Sequence, residues 1–177
     1  MAGKFTFNLL ENEMELLIHP NVTFATKELN NRSNSSSDRG NVILTNLRII
    51  FLPNPRNSPS RSYITSLWLV NTQNFVFKKP FFINDNLNGV TRASNDSQWQ
   101  GDLEWKLTFH QSRGIDFAQA VREVGELNQH YNHNIPMGEL AYLADKFQHR
   151  NYSEEVSYGA PSGGCFCFPC ICLPIMF

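Results

Sequence analysis

Residues 40–53, "GNVILTNLRIIFLP", carry the clearest structural signal in the chain. Two short apolar runs rich in Val, Ile and Leu lie on either side of Thr45 and Asn46. β-Branched residues favour strands, and an Asn between two apolar runs favours a turn. The stretch therefore predicts two strands joined by a turn at Thr45 and Asn46.

A second strand signal lies further along the chain, at residues 103–109, "LEWKLTF". Large apolar side chains occupy every second position there, which is the period of a strand with one buried face. Shorter β-prone runs, each bounded by Asn, Gly, Asp or Pro, lie at 63–70, 74–79 and 87–93. A first strand, with or without a helical turn before it, is predicted within 11–26, and a polar loop at 27–40. Six or seven short antiparallel strands in series favour a small barrel or sandwich.

The pattern changes to a helical period after the last strand. In 115–131, Phe117, Val121, Val124 and Asn128 fall on one stripe of a helix. Asp116, followed three residues later by Gln, fits a capping box and predicts the helix start. We therefore expect one α-helix to cap the strands.

A second, shorter amphipathic helix is predicted within 137–150, after Pro136. Leu140, Leu143, Ala144 and Phe147 lie on one side of it. A helix this short is marginal alone and needs a surface to lie on. One interpretation is packing against the domain, and the other is binding to a membrane or a partner.

The strand signals also carry a family resemblance. Gly40, Thr45, Arg48 and Phe51 resemble the core motif of a GRAM domain. Residues 78–121 are similar, in order and spacing, to the GRAM domain of the WW domain-binding protein 2 family. The matching positions are Lys79-Pro80, Asn86, Gly89, Trp99, Gly101, 106–109 and 115–117. The resemblance covers about residues 5 to 130 and is strongest from 40 to 124.

This resemblance implies a pleckstrin-homology-like fold: mainly β, with two antiparallel sheets of about seven strands capped by one C-terminal α-helix. It also implies a non-enzymatic module that binds proteins or lipids, since the family's members act as adaptors and nuclear transcription coactivators. The family's Pro-Pro-X-Tyr motifs, which dock into WW domains, have no counterpart among the nine prolines here. WW-domain binding is therefore not expected.

The predicted organisation has four parts. Residues 1–132 form the GRAM or pleckstrin-like domain and 133–150 the short amphipathic helix. Residues 151–164, which include "GAPSGG", are expected to be a flexible linker. Residues 165–177 form an apolar tail that holds all four cysteines.

The charge distribution points to an anionic partner or to ordinary solvated strands. Residues 39–84 contain six Arg and Lys and no Asp or Glu, although the whole chain has a net charge of -1. An anionic membrane surface is a candidate partner, with Arg56, Arg61, Lys78 and Lys79 as headgroup contacts. Direct nucleic-acid binding is not expected, because the positive charge is spread thinly.

No catalytic motif is present. The sequence has no Gly-rich phosphate loop, nucleophile elbow or metalloprotease motif, so we expect a non-enzyme without a cofactor. His130 and His133 lie three residues apart but lack a nearby third ligand, so no metal site is predicted.

The cysteine-rich tail allows several interpretations. Cys165, Cys167, Cys170 and Cys172 are too closely spaced for the usual two zinc knuckles, and a cytosolic chain seldom forms disulfides. Clustered cysteines among bulky apolar residues favour S-acylation at these four positions. The remaining interpretation is an unmodified apolar tail that docks on a protein.

The predicted location follows from the same features. Glu11, Glu13 and Glu15 interrupt any signal-peptide core, and no apolar run approaches the length of a membrane span. We expect a cytoplasmic adaptor with an unknown protein partner, held at the cytosolic face of a membrane by acylation. The alternative is a soluble or nuclear adaptor that acts as a transcription coactivator.

Overall fold

The computed structural model describes residues 7–30, 35–54, 64–78, 84–95, 97–110 and 113–153. These residues form seven antiparallel strands, a short 3-10 turn at Leu69–Asn71 and two α-helices. The strands are β1 Glu15–Glu28, β2 Ser35–Thr45, β3 Arg48–Pro53, β4 Thr65–Trp68, β5 Thr72–Lys78, β6 Asp85–Arg92 and β7 Asp102–Phe109. The helices are α1 Gly114–His130 and α2 Met137–Ser153. The predicted mainly β class with a C-terminal helix is confirmed, and the architecture fits a pleckstrin-homology-like fold.

The strands form one hydrogen-bonded series in the order β4-β3-β2-β1-β7-β6-β5. The long strand β1 joins its two halves, because it pairs with β2 on one side and, from Val22 to Glu28, with β7 on the other. Strands β4 and β5 are the two ends of the series. Within the described ranges, no strand pairs with the outer side of either one.

Aromatic side chains fill the interior of the curled sheet. Phe24 on β1 and Phe51 on β3 are fully buried, with ring centroids 4.8 Å apart. The rings of Phe109 on β7 and Phe117 on α1 have centroids 5.6 Å apart, so α1 covers this end of the core. The predicted helical stripe is confirmed, since Phe117, Val121, Val124 and Asn128 are all buried.

The polar segment 27–40 is largely strand rather than the predicted loop. Strand β1 continues to Glu28, and β2 begins at Ser35, so its first residues pair with the end of β1. The hydroxyls of Thr26 and Ser36 lie 2.8 Å apart across this pair. Cross-strand pairing here outweighs the low strand preference of Ser and Asp.

Helix α1 begins at Gly114 with Arg113 as its N-cap, three residues before the predicted cap at Asp116. Arg113 occupies the N-cap position with φ of 104°, and its Nε donates to Asp116 Oδ2 over 3.1 Å. Gly114 permits this start, because a Cβ there would lie 2.7 Å from Phe109 Cδ2. The close packing of Gly114 on Phe109 thus moves the cap away from Asp116.

Helix α2 packs on the domain, as the first of the two interpretations requires. Leu140, Leu143 and Phe147 are almost completely buried and belong to the same core as the sheet. Tyr142, on the opposite face, is 60% exposed. The apolar stripe of α2 is therefore already covered by protein.

The Thr45–Arg48 motif connects the hairpin to the segment that precedes β1. Arg48 donates from Nε and Nη2 to the two carboxylate oxygens of Glu13, over 2.8 and 2.9 Å. Thr45 Oγ1 donates to Glu13 Oε1 over 2.8 Å. The side chain of Glu13 is fully buried, so these bonds replace the water that the carboxylate loses. Burial favours protonation of Glu13, but the bonds from Arg48, Leu10 and Thr45 and the charge of Arg48 lower its pKa below the ordinary value.

Asn46 extends the same network to the helix. Its Oδ1 accepts from the backbone N–H of Met14 over 2.7 Å, and its Nδ2 donates to Asn12 O over 3.0 Å. Its own backbone carbonyl accepts from Asn128 Nδ2 over 2.8 Å. The turn predicted from the sequence therefore holds both the start of the sheet and the end of α1.

Gly89 provides the first test of the packing. Replacing Gly89 by Ala places a Cβ 2.4 Å from the Trp105 ring, whereas a Cβ at Gly138, on α2, meets nothing within 4 Å. We expect Gly89→Ala to lower the free energy of unfolding by about 1–3 kcal/mol, because the ring has to move. Gly138→Ala, measured by the same chemical denaturation, should leave stability unchanged or slightly raised. Equal stability of the two variants would contradict this packing.

Candidate functional site: a groove between α1 and β5

The candidate site of the described structure is a groove of about 1090 Å³. One wall is β5 with the 3-10 turn before it, and the other wall is α1. The groove thus lies beside a strand whose outer side has no strand partner among the described residues. Backbone groups and an apolar surface are both available there.

The strand wall is apolar and partly exposed. Val70, Phe75 and Phe77 line it, and Val70 and Phe75 are 59% and 39% exposed. Phe75 rests on the buried Trp105, with ring centroids 6.0 Å apart. Large apolar side chains so exposed on an end strand are a liability unless another segment covers them.

The helix wall combines small and apolar residues with polar and charged ones. Ile115, Ala118 and Val121 contribute apolar surface, and Gly125 lies further along the groove. A Cβ on Gly125 would meet nothing within 4 Å. A glycine inside a helix costs about 1 kcal/mol of stability relative to Ala. Gly125 does not offset this cost by close packing, and it leaves open space in the groove.

The charged rim of the groove is internally balanced. Arg122 donates from Nε to Glu126 Oε1 over 2.7 Å, and both side chains are exposed. Glu123 accepts from Lys146, which α2 brings to the same rim. The groove therefore presents little net charge and suits a segment with few charges.

Asn128 supplies a buried polar atom at the base of the groove. The residue is 4% exposed, and its Nδ2 is used by Asn46 O. Its Oδ1 is buried and has no hydrogen-bond partner within the described residues. Because this oxygen is closed off from solvent, it does not serve as an acceptor for a segment bound in the groove.

Of the four predicted headgroup contacts, only Lys78 is within the described residues, and it is exposed at the end of β5. Arg56, Arg61 and Lys79 lie outside them. In the sheet order, β3 and β5 run in opposite directions and are separated by four strands. The headgroup assignment stays a prediction.

Two of the six cations in the basic stretch 39–84 already contact other side chains of the domain. Arg48 is bound to the buried Glu13 and lies 5.4 Å from the centre of the Trp68 ring. It therefore adds no free charge for an anionic partner. Arg39 instead donates to Asn21 Oδ1 on β1.

The cysteines predicted to be acylated, Cys165, Cys167, Cys170 and Cys172, lie outside the described residues. In the described part of the chain, no cluster of three or more His, Cys, Asp or Glu side chains is arranged to hold a metal ion. None of the helices there has the length and apolar character needed to span a membrane.

One buried histidine lies away from the groove. His19, on β1, is 7% exposed and packs edge-on against Phe109 at 4.9 Å. Burial lowers the pKa of His19, and the positive charge of Arg113 lowers it further. The neutral ring donates from Nδ1 to Pro20 O over 2.9 Å. His19 thus acts as a core residue.

The groove was not predicted from the sequence. Its helix wall uses positions beside the core stripe, and its strand wall uses residues of β5 that were expected only to form a strand. The available signal was Gly125, a helix-breaking residue in the middle of a predicted helix. The second signal was the run of apolar side chains Phe75, Val76 and Phe77 in the predicted strand 74–79.

Comparison with known proteins gives relatives but no family assignment, since no family model matches the chain. It is 26% identical over 141 residues to the WW domain-binding protein 2 of Mus musculus and 27% identical to that of Rattus norvegicus. Each match covers 80% of this chain and 52% of the relative. It is 30% identical over 105 residues to the Homo sapiens postacrosomal sheath WW domain-binding protein, covering 58% of this chain and 33% of the relative. The chain thus spans about half the length, or less, of these relatives.

Proposed function

We propose that this protein is a non-enzymatic adaptor whose GRAM-type domain binds an extended segment of a partner protein in the groove between α1 and β5. The observation that supports this most directly is the position of the groove beside β5, whose outer side has no strand partner among the described residues. An extended segment placed there would add a strand to the sheet and insert alternate side chains into the groove. Backbone bonds give affinity in this mode, and pockets give specificity.

Two further observations support the proposal. The relatives are named as binding proteins, which favours protein binding over catalysis for a chain of similar sequence. Gly40, Thr45 and Arg48, on which the GRAM resemblance rests, have structural roles in this fold. Thr45 and Arg48 bind Glu13, and a Cβ on Gly40 would lie 2.0 Å from the backbone oxygen of Leu52. The motif residues thus stabilise the fold and do not line the groove, which we propose binds the partner.

A groove-filling variant tests the proposal. Gly125→Leu fills the groove from the helix side, and helix propensity and open space both favour a stable fold. We expect partners identified by proximity labelling of the full chain, and confirmed with purified proteins, to bind this variant at least about tenfold more weakly. Gly138→Leu, on the exposed part of α2, is the matched control and should bind as the unmodified chain does.

The contrary outcome is equally clear. If Gly125→Leu remains folded and binds every confirmed partner with unchanged affinity, the groove is not the protein-binding site. A panel of isolated WW domains belongs in the same assay, since the relatives are named for binding them. Binding of a WW domain would show recognition without a Pro-Pro-X-Tyr motif, which the sequence lacks.

The membrane part of the proposed function rests on the segment 165–177. Two acyl chains on Cys165, Cys167, Cys170 or Cys172 suffice for stable anchoring. Arg56, Arg61, Lys78 and Lys79 would add attraction to an anionic cytosolic surface. The adaptor would then act at the cytosolic face of a membrane.

Replacing all four cysteines by serine tests this anchoring in cells. With a fluorescent protein at the N-terminus, the unmodified chain is expected at a membrane, and the four-serine variant in the cytoplasm, because acylation is lost. Hydroxylamine-sensitive lipid labelling should disappear in the same variant. An unmodified chain that is already diffuse refutes the anchor, and one concentrated in the nucleus favours the coactivator alternative.

A further inference from the structure

The groove between α1 and β5 has a candidate occupant within this chain. We infer that residues 165–177 bind in the groove as a strand added to the outer side of β5, in competition with the partner protein and with the membrane. This inference rests on the proposed function of the groove as a docking site for an extended segment. It adds the regulation of that site: the tail closes the groove until acylation draws it to a membrane.

The composition of the segment matches the surface of the groove. Residues 165–177 contain no charged side chain and no histidine. The groove walls carry apolar side chains beside uncharged polar ones, and the ion pairs Arg122–Glu126 and Lys146–Glu123 leave its rim nearly neutral. An acidic or basic peptide would gain little from such a rim, and an uncharged one loses little on desolvation.

The order of residues in the segment also suits strand addition. Phe166 and Phe168 alternate with Cys165 and Cys167. In an extended chain, successive side chains point to opposite faces, so Phe166 and Phe168 would share one face with Cys170 and Cys172, while Cys165 and Cys167 would lie on the other. The Phe face would cover Phe75 and Val70, which are exposed by 39% and 59%. Pro169, which has no N–H, is tolerated on an edge strand.

The position of α2 brings the segment within reach. Lys146 on α2 contacts Glu123, a residue that lines the groove. Ser153, the last residue of α2, follows seven residues later, about 10 Å of helical rise. The next 11 residues, 154–164, can span about 36–40 Å when extended. The spacer is therefore long enough to return from the end of α2 to Glu123 on the rim of the groove.

The absence of cysteine from residues 1–164 gives a direct test. In the full chain, purified with free thiols, Val70→Cys places one thiol on the groove wall. Ile18→Cys is the control: Ile18 is 48% exposed on β1, the strand against which α2 packs, and does not line the groove. Both variants are equilibrated with a reduced and oxidised glutathione buffer. Disulfides to the tail are then measured by peptide mass spectrometry without reduction.

We expect V70C to form an intramolecular disulfide with a tail cysteine at least about tenfold more readily than I18C, because docking raises the local thiol concentration. Adding Gly125→Leu should remove this preference. Equal disulfide formation in V70C and I18C overturns the inference, and disulfide-linked dimers of V70C replace it with docking of a second copy.

This test separates the inference from the proposed function, because it needs no partner. Loss of partner binding in Gly125→Leu, together with equal disulfide formation in V70C and I18C, keeps the proposed function and refutes tail docking. If V70C forms the tail disulfide much more readily than I18C, but no partner depends on the groove for binding, tail docking stands and the adaptor role is refuted.

Discussion

Replacing Arg48 by alanine is expected to lower the free energy of unfolding by about 3–5 kcal/mol, since it leaves the carboxylate of Glu13 buried without its counter-ion. The side chain of Glu13 is fully buried and that of Arg48 is only 13% exposed. Arg48 also donates to Ser66 Oγ over 3.1 Å and to Asn8 O over 3.2 Å. The substitution therefore loosens both the segment before β1 and the contact between β3 and β4.

Chemical denaturation of matched arginine variants measures this effect. Arg122 forms an ion pair with Glu126, but both side chains are about 60% exposed. Arg122→Ala should therefore cost no more than about 1 kcal/mol. A double-mutant cycle of Arg48→Met with Glu13→Gln should show a coupling of about 0.5–3 kcal/mol, because the double variant no longer buries an unpaired charge. Equal losses for Arg48→Ala and Arg122→Ala would contradict the buried pair.

The same pair predicts an acid dependence of stability. Burial opposes ionisation of Glu13, but its bonds, led by that from Arg48, lower its pKa below the ordinary 4.5. The folded state thus favours the carboxylate of Glu13. Its contribution to the free energy of unfolding is complete above pH 4.5 and is lost as the pH falls through the pKa of the folded state. Without Arg48, burial becomes the dominant influence on Glu13. Between about pH 6 and about pH 3, the stability of Arg48→Ala should therefore lack the fall that Glu13 causes in the unmodified chain.

Trp105→Ala is expected to cost about 3–5 kcal/mol, because it removes a large, fully buried side chain at the junction of three strands. Trp105 is 1% exposed, and its indole N–H donates to Thr91 Oγ1 over 2.9 Å. Thr91 Oγ1 lies 2.7 Å from Thr72 Oγ1, so the contact continues from β7 through β6 to β5. Phe75, on the groove wall, rests on the same indole.

A pair of tryptophan-to-phenylalanine variants separates the hydrogen bond from the packing. Trp105→Phe should lose about 1–3 kcal/mol, since Thr91 loses a buried donor. Trp99 is the matched control, because its indole N–H is buried with no partner in the described part of the chain. Trp99→Phe should therefore cost less, and thermal unfolding of both variants measures the difference. A smaller loss for Trp105→Phe than for Trp99→Phe would refute the role assigned to Thr91.

The sequence predicted the elements that have a regular apolar period. The hairpin around Thr45 and Asn46, the strand at 103–109 and the stripe of α1 were found because burial on one face imposes a period of two or 3.6. The extension of β1 and β2 into the polar segment 27–40 was missed, since pairing between those residues is set by the partner strand and not by their own propensity. The Asp116 cap was wrong because Gly114 packs on Phe109, a contact between residues on different elements.

The groove was harder to predict for the same reason. Neither Gly125 nor Phe75 indicates by itself that a helix and an end strand leave a space between them. That space depends on the sheet order, which places β5 at the end of the series although β5 lies in the middle of the sequence. Local patterns specify each element, but the site arises from the distance between two of them. The Arg48–Glu13 pair likewise joins residues 35 positions apart.

The double pairing of β1 has a consequence for synthesis of the chain. Val22 pairs with Gly40 on one side and with Phe109 on the other. On a ribosome that adds about 5–20 residues per second, the second partner is made several seconds after the first. During this interval the nascent chain presents one open side of β1, beside the still uncovered Phe24. Binding of a chaperone at this stage would protect a surface that no longer exists in the finished protein.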